Sequence, residues 1–166
     1  MVIAHQQFRD EELLVPKGIL RENGFVVVVA STSLEPAKGM AGGKVKPDIL
    51  LKDADPGQFA AVIFVGGVGA QDCYDNPDAL RLAGDAVAQG KVVGAICLAT
   101  GILASADVLK GRIVTGWPSD EHRRRIAAAG ATFVEKDVVT DGKFVTASGP
   151  NAVTQFGKAL VEALKR

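Results

Sequence analysis

Two cysteines, Cys73 and Cys97, and two histidines, His5 and His122, are all that this 166-residue chain has of either type. So few cysteines exclude a disulfide framework, and no His/Cys cluster has the spacing of a zinc site, so neither a metal nor another cofactor is expected. The chain also lacks net charge. Nineteen Lys and Arg balance nineteen Asp and Glu, which removes the electrostatic footprint of a nucleic-acid or anionic-membrane binder. The run Arg123-Arg124-Arg125 then reads as a solvated helix face. Long hydrophobic runs are missing as well. No apolar stretch approaches a membrane span, and the opening MVIAHQQF has no basic region followed by a long apolar one. Neither a transmembrane helix nor a signal peptide is expected, and a cytoplasmic location is the expectation that follows.

What is present is apolar: 48% of the residues are hydrophobic, and a chain of this length buries roughly 70% of its unfolded surface without staples. No low-complexity stretch or linker divides it, so residues 1–166 are expected to form a single domain. Apolar β-rich runs alternate with helical patterns. MVIA, FVVVVA, AAVIFVGG, KVVGAI and RIVTGW read as strands, and VVTDGKFVTA as a hairpin turning at Asp141-Gly142 in a type I′ turn. Asp10 is placed to cap a helix that Gly24 ends, Asn76 to cap one with Pro77 at its first position, and Ser119 to cap a third. A further helix starts at Leu98, and another closes the chain. Residues 31–60 are irregular, and KVKPDILLKD suggests a small hairpin or an edge excursion. Continuous apolar strands with intervening helices predict an α/β fold with a doubly wound, mostly parallel sheet covered on both faces.

In such a sheet, ligands bind at the carboxyl ends of the strands. Those ends hold His5, Gly66-Gly67, Cys97 and Gly116-Trp117. Cys97 ends a strand and opens a helix, with Ala95 and Ala99 two residues to either side. A nucleophile elbow needs small residues at those positions, because its reactive residue sits on a strained turn. The helix from Leu98 aims its free N–H groups at the sulfur, which predicts a thiol pKa below the usual value of about 8.5. The alternative is plain: cysteine is among the most buried residue types, and AIC could be core.

FRDEELLVP near the start, AAVIFVGGVGA, KVVGAICLATGILASADVLKGRIVTGWP and VVTDGKFVTASGP together resemble the ThiJ/PfpI family of the class I glutamine-amidotransferase-like superfamily. The resemblance implies a flavodoxin-like sandwich and assembly as a homodimer or larger homo-oligomer. It implies a reactive Cys97 contacted by Glu12, with Gly67 and the Leu98 amide supplying N–H groups to an oxyanion or an oxidised sulfur. A carboxyl group facing sulfur in a poorly solvated pocket would be raised in pKa and stay protonated. Asp10 and Glu11 read as surface acids.

The sequence also departs from that family. The histidine that protease-like members carry directly after the cysteine is Leu98 here, and the one that other members take from the segment leading into the equivalent of Pro118 is Trp117. His5, at a strand end, is the possible substitute; His122, in a polar helix, is a weaker one. Gly66 and Trp117 are possible site residues, and Cys73 reads as an incidental thiol in a polar loop. The leading expectation is an intracellular cysteine hydrolase of protease or amidase type, acting on a small molecule or peptide. Glyoxalase-like or deglycase-like action on 2-oxoaldehydes asks less of a histidine and is the alternative. A non-catalytic redox or stress protein that senses oxidation at Cys97 is a third reading.

Overall fold

The computed structural model describes all residues from Met1 to Arg166. In chain order the strands are β1 (Gln6–Phe8), β2 (Ala30–Ser31), β3 (Ala37–Gly39), β4 (Lys44–Val45), β5 (Ile49–Leu50), β6 (Ala61–Phe64), β7 (Val92–Ile96), β8 (Ile113–Val114), β9 (Thr132–Phe133), β10 (Val138–Asp141) and β11 (Phe144–Ala147). The helices are α1 (Asp10–Glu22), α2 (Pro77–Ala88), α3 (Thr100–Ser105), α4 (Asp120–Ala128) and α5 (Val153–Lys165). The main sheet runs β10-β11-β7-β6, continues through Val2, which bridges both Phe64 and Ala30, and ends in the parallel pair β2-β5. Only the β10-β11 pairing is antiparallel in it.

The five residues of β7 are all buried, and its side chains alternate between two cores. Val93 and Ala95 join a core with Leu82, Ala86 and Ile102 from α2 and α3. Val92 and Ile96 face Phe156 and Leu160 of α5 with Leu20 of α1. Helices therefore cover both faces, and a strand buried on both sides reads as continuously apolar. This is the flavodoxin-like α/β architecture expected.

Several local expectations hold. Asn76 accepts from the Asp78 and Ala79 amides, and Ser119 accepts from His122 N–H, which satisfies helix-end donors. Others are corrected. Of FVVVVA only Ala30 is in a strand, since nothing pairs with the backbone of residues 25–28 as a ladder. Lys44–Val45 is the return arm of a hairpin that begins at Ala37, while Ile49–Leu50 forms the edge of the main sheet. RIVTGW contributes just Ile113–Val114, which pair with the unexpected β9 outside that sheet. Asp141 pairs with Phe144, so the hairpin turns at Gly142-Lys143, with the positive φ of +60° on Gly142; glycine at the first central position suits a type II′ turn. Leu98 lies in a 3₁₀ turn, Cys97–Ala99, and the helix proper starts at Thr100.

Asp10 neither caps α1 nor lies at the surface. Arg9 is the N-cap. Asp10 is 7% exposed, and its carboxylate accepts from Ala41 N–H and Gly43 N–H, both at 2.8 Å. It ties the tip of the β3-β4 hairpin to the start of α1, next to the strand ends. Hydrogen bonds to a charged acceptor contribute about 1.5–3 kcal/mol each. Asp10→Ala is accordingly expected to speed amide exchange at Ala41 and Gly43 by roughly thirtyfold or more while leaving β7 protected. Unchanged exchange at those two amides would remove the anchoring role.

Candidate active site

At the end of β7 the chain reverses direction on a single residue. Cys97 has φ +60°, in the left-handed region that costs a non-glycine residue about 1–2 kcal/mol. The turn closes because everything around it is small. Ala95 and Ala99 are fully buried. A side chain at Gly116 would collide with the Cys97 carbonyl oxygen, Thr100 Oγ1 and His122 Nε2, and one at Gly101 with the Tyr74 hydroxyl. That hydroxyl donates to the Leu98 carbonyl at 2.7 Å, and Trp117 N–H donates to the Cys97 carbonyl at 3.2 Å. The elbow is thus held from the segment after β8 and from the loop before α2, neither of which adjoins it in sequence.

Glu12 approaches from the other side. It lies one turn into α1, is 0% exposed, and reaches the double glycine after β6. Gly66 is squeezed between Glu12 Oε2, the Ile96 carbonyl and Cys97 Cβ, so any side chain there would displace them. Gly67 has φ +103°, and a Cβ on it would strike the backbone of Gln7, Phe8 and Arg9. Glycine is required at both positions. Neither Glu12 oxygen completes a hydrogen bond of ordinary geometry, although the Cys97 thiol and the Gly66 amide lie close enough to favour the ionised form.

The electrostatics follow from that burial. Desolvation raises the Glu12 carboxyl from 4.5 to about 7, against the smaller lowering effects of Cys97 and the Arg9 charge. Desolvation also raises the Cys97 thiol, to about 12, and the Glu12 charge adds to it. The Gly67 and Leu98 amides lower it, but by less. The expectation of a depressed thiol pKa is therefore corrected: α3 has only six residues and begins beyond a 3₁₀ turn, and two amides do not offset the loss of water and a facing carboxylate. The two groups titrate as a pair. Above about pH 7 the pair has lost one proton. The remaining one stays on sulfur, and the two amides offset only part of what burial and the Glu12 charge add to the thiol.

The remaining candidates fall into place around this pair. Trp117, 38% exposed, is tied to the elbow by its backbone, and its ring lies over Gly149. His5 is half-buried with Nδ1 unpartnered, and it is not among the groups that act most strongly on Cys97. His122, the weaker substitute, is 3% exposed. Its Nε2 packs against Gly116 behind the elbow, and burial followed by the Arg125 charge lowers its pKa to about 4. Cys73 is not in a polar loop environment but in the α2-α3 core at 4% exposure, with its thiol raised to about 11. Sequence reasoning missed Arg9, whose backbone N–H donates to the Gly66 carbonyl at 2.9 Å; its place directly before an acidic helix start was the one available signal. No three His, Cys, Asp or Glu side chains converge as they would on a metal ion, and no helix is long and apolar enough to cross a membrane. An apolar cavity of about 90 Å³, lined by residues including Met1, Val27, Phe59 and Leu164, lies at the opposite, amino-terminal ends of the strands and takes no part in this arrangement.

A flavodoxin-like sandwich with a cysteine on a left-handed strand-to-helix turn and a buried carboxyl beside it defines a class of elbow-cysteine proteins. Within that class, the chain belongs to the DJ-1/PfpI family, whose profile matches residues 1–163. It is similar in structure to a ThiJ/PfpI domain protein from Brachyspira murdochii, with a TM-score of 0.95 and 33% identity over 99% of this chain and 94% of that one. It is 31% identical to the deglycase PfpI of Pyrococcus furiosus, covering 99% of this chain and 98% of the relative. It is 27% identical to the glutathione-independent glyoxalase DJR-1.2 of Caenorhabditis elegans, covering 93% and 81%.

The burial of Glu12 has a measurable consequence. A carboxyl raised from 4.5 to about 7 on folding contributes stability that is complete below pH 4.5 and lost as pH rises through 7, roughly 3 kcal/mol in all. In urea titrations at a series of pH values, wild type is expected to lose that stability between pH 4.5 and 7 and then level off. Glu12→Gln should stay flat across the same window. A parallel pair of curves would show that the carboxyl is hydrated in the folded protein.

Proposed function

We propose that this chain converts 2-oxoaldehydes to 2-hydroxy acids without glutathione, with Cys97 as nucleophile and Glu12 as the acid and base. The observation that carries this reading is the pairing of an elbow cysteine with a buried carboxyl that titrates near neutrality, with Leu98 and Trp117 at the positions where relatives carry a histidine. Relatives named deglycase and glyoxalase support it. The protease or amidase alternative has less behind it. Amide cleavage needs a separate acid to protonate the leaving amine, and the two family histidine positions hold Leu98 and Trp117.

In the proposed reaction the Cys97 thiolate adds to the aldehyde carbon. A C–S bond forms, and the carbonyl oxygen takes the thiol proton by way of Glu12, giving a hemithioacetal. The Glu12 carboxylate removes the remaining hydrogen of that carbon as a proton, the electron pair moves into the neighbouring ketone, and the hemithioacetal hydroxyl proton passes to the former ketone oxygen, giving an enediolate. The same carboxyl returns the proton to the former ketone carbon. The product is a thioester of a 2-hydroxy acid. Water then cleaves the C–S bond and restores the thiol. The aldehyde carbon is oxidised and its neighbour reduced within one molecule, so one water is consumed and no external oxidant or reductant. A carboxyl with a pKa of about 7 can both accept and return the proton near neutral pH. The Gly67 and Leu98 amides stabilise the sulfur anion before attack.

Methylglyoxal should accordingly be converted to lactate, followed by proton NMR. The expected rate falls at least 1,000-fold in Cys97→Ser and by roughly 100- to 10,000-fold in Glu12→Gln. The wild-type rate should rise with pH through the Glu12 titration near 7. Lactate formation at an equal rate in Cys97→Ser, or none in wild type, would overturn the assignment.

A further inference from the structure

Arg9 occupies a position that the chemistry above leaves without a task. As N-cap of α1 it is fixed by its backbone N–H to the Gly66 carbonyl at 2.9 Å, and Gly66 is the residue wedged between Glu12 Oε2 and Cys97 Cβ. The side chain is one third exposed, at 33%. Its Nε donates to Glu11 Oε1 at 3.0 Å, which sets the direction of the guanidinium, while Nη1 and Nη2 engage no protein acceptor. A pre-oriented guanidinium with both terminal nitrogens free is the side chain suited to hold a carboxylate through two parallel hydrogen bonds.

We infer that Arg9 is a substrate-binding residue that selects 2-oxoaldehydes bearing a carboxylate, its Nη1 and Nη2 holding the anionic end while the aldehyde carbon meets Cys97. The inference rests on the aldehyde reading of the site and narrows its substrate class. The backbone places Arg9 beside the reacting groups: a side chain on Gly67 would strike the Arg9 nitrogen, and the Gly67 amide is one of the two donors facing the Cys97 sulfur. Glu11 is part of the device: it occupies Nε only and leaves Nη1 and Nη2 without a protein partner.

The test compares two 2-oxoaldehydes, neutral methylglyoxal and 4,5-dioxopentanoate, which has a carboxylate two methylenes from its ketone and would yield 2-hydroxyglutarate. Wild type is expected to show a kcat/KM roughly tenfold or more higher for the anionic substrate, the advantage lying in KM. Arg9→Gln should lower that ratio by about tenfold, with Arg9→Lys between the two. An equal ratio in wild type and Arg9→Gln overturns the inference while leaving the aldehyde reading intact. Turnover of neither aldehyde overturns the aldehyde reading, and Arg9 is then judged on alkylation alone. Iodoacetate and iodoacetamide deliver the same carbon to sulfur with and without a carboxylate, and peptide mass mapping separates Cys97 from Cys73. Arg9→Gln should reduce the iodoacetate-to-iodoacetamide rate ratio at Cys97 roughly tenfold, and 1 M salt should do much the same in wild type. A ratio that does not move, or a Cys97 that neither reagent reaches, overturns the inference.

Discussion

A carboxyl group with no exposed surface, set against a buried thiol, is the constraint around which the rest of the molecule is arranged. An ionised Glu12 in that position would lie in a medium that solvates charge poorly, so below neutrality the group keeps its proton. The thiol is constrained in the same way. Neither partner can ionise without raising the cost for the other, and the pair behaves as one acid with two widely separated steps. This is why the amides of Gly67 and Leu98 matter. They cannot make Cys97 a strong acid, but they offset part of what burial and the Glu12 charge add to its pKa.

Holding that pair together requires backbone to approach backbone, and glycine is the means. Gly66 and Gly67 let the end of β6 lie against the start of α1 on one side and against Cys97 on the other. Gly116 and Gly101 do the equivalent work behind the elbow, where His122, Thr100 and Tyr74 fill the space. Strain at Cys97 persists because the surrounding structure determines it from several directions at once. Asp10 extends the same arrangement outward by fixing the β3-β4 hairpin beside the first turn of α1. Three successive acids in α1 therefore do three different things: Asp10 anchors a loop, Glu11 orients Arg9, and Glu12 faces the sulfur.

Leu98 and Trp117, at the two positions where family members carry a histidine, then shape the chemistry the site supports. A thiolate-imidazolium pair provides both a nucleophile and a separate acid for a departing amine. A carboxyl paired with a thiol provides one mobile proton. Isomerising a bound 2-oxoaldehyde needs one proton moved between adjacent carbons, which is the task such a group can perform.

Much of the fold was readable from the chain because its signals are local. Alternation and apolar runs marked β6, β7 and β11, and the caps at Asn76 and Ser119 act within three residues of themselves. The elbow was readable for the same reason: two alanines flank Cys97 at the spacing the turn needs, and the strain is a property of that one residue. Short strands such as β2, β8 and β9 were misjudged or missed because two residues hold no period, and what pairs with them is decided elsewhere in the chain. The same distinction separates the acids of α1. By pattern alone Asp10, Glu11 and Glu12 are consecutive charges at a helix start, and only the packing of the β3-β4 hairpin and the Gly66-Gly67 turn makes two of them buried. The sulfur's acidity was misjudged on similar grounds. A helix dipole is visible in sequence, whereas desolvation depends on which distant segments close over a group, and that is settled only when the chain has folded.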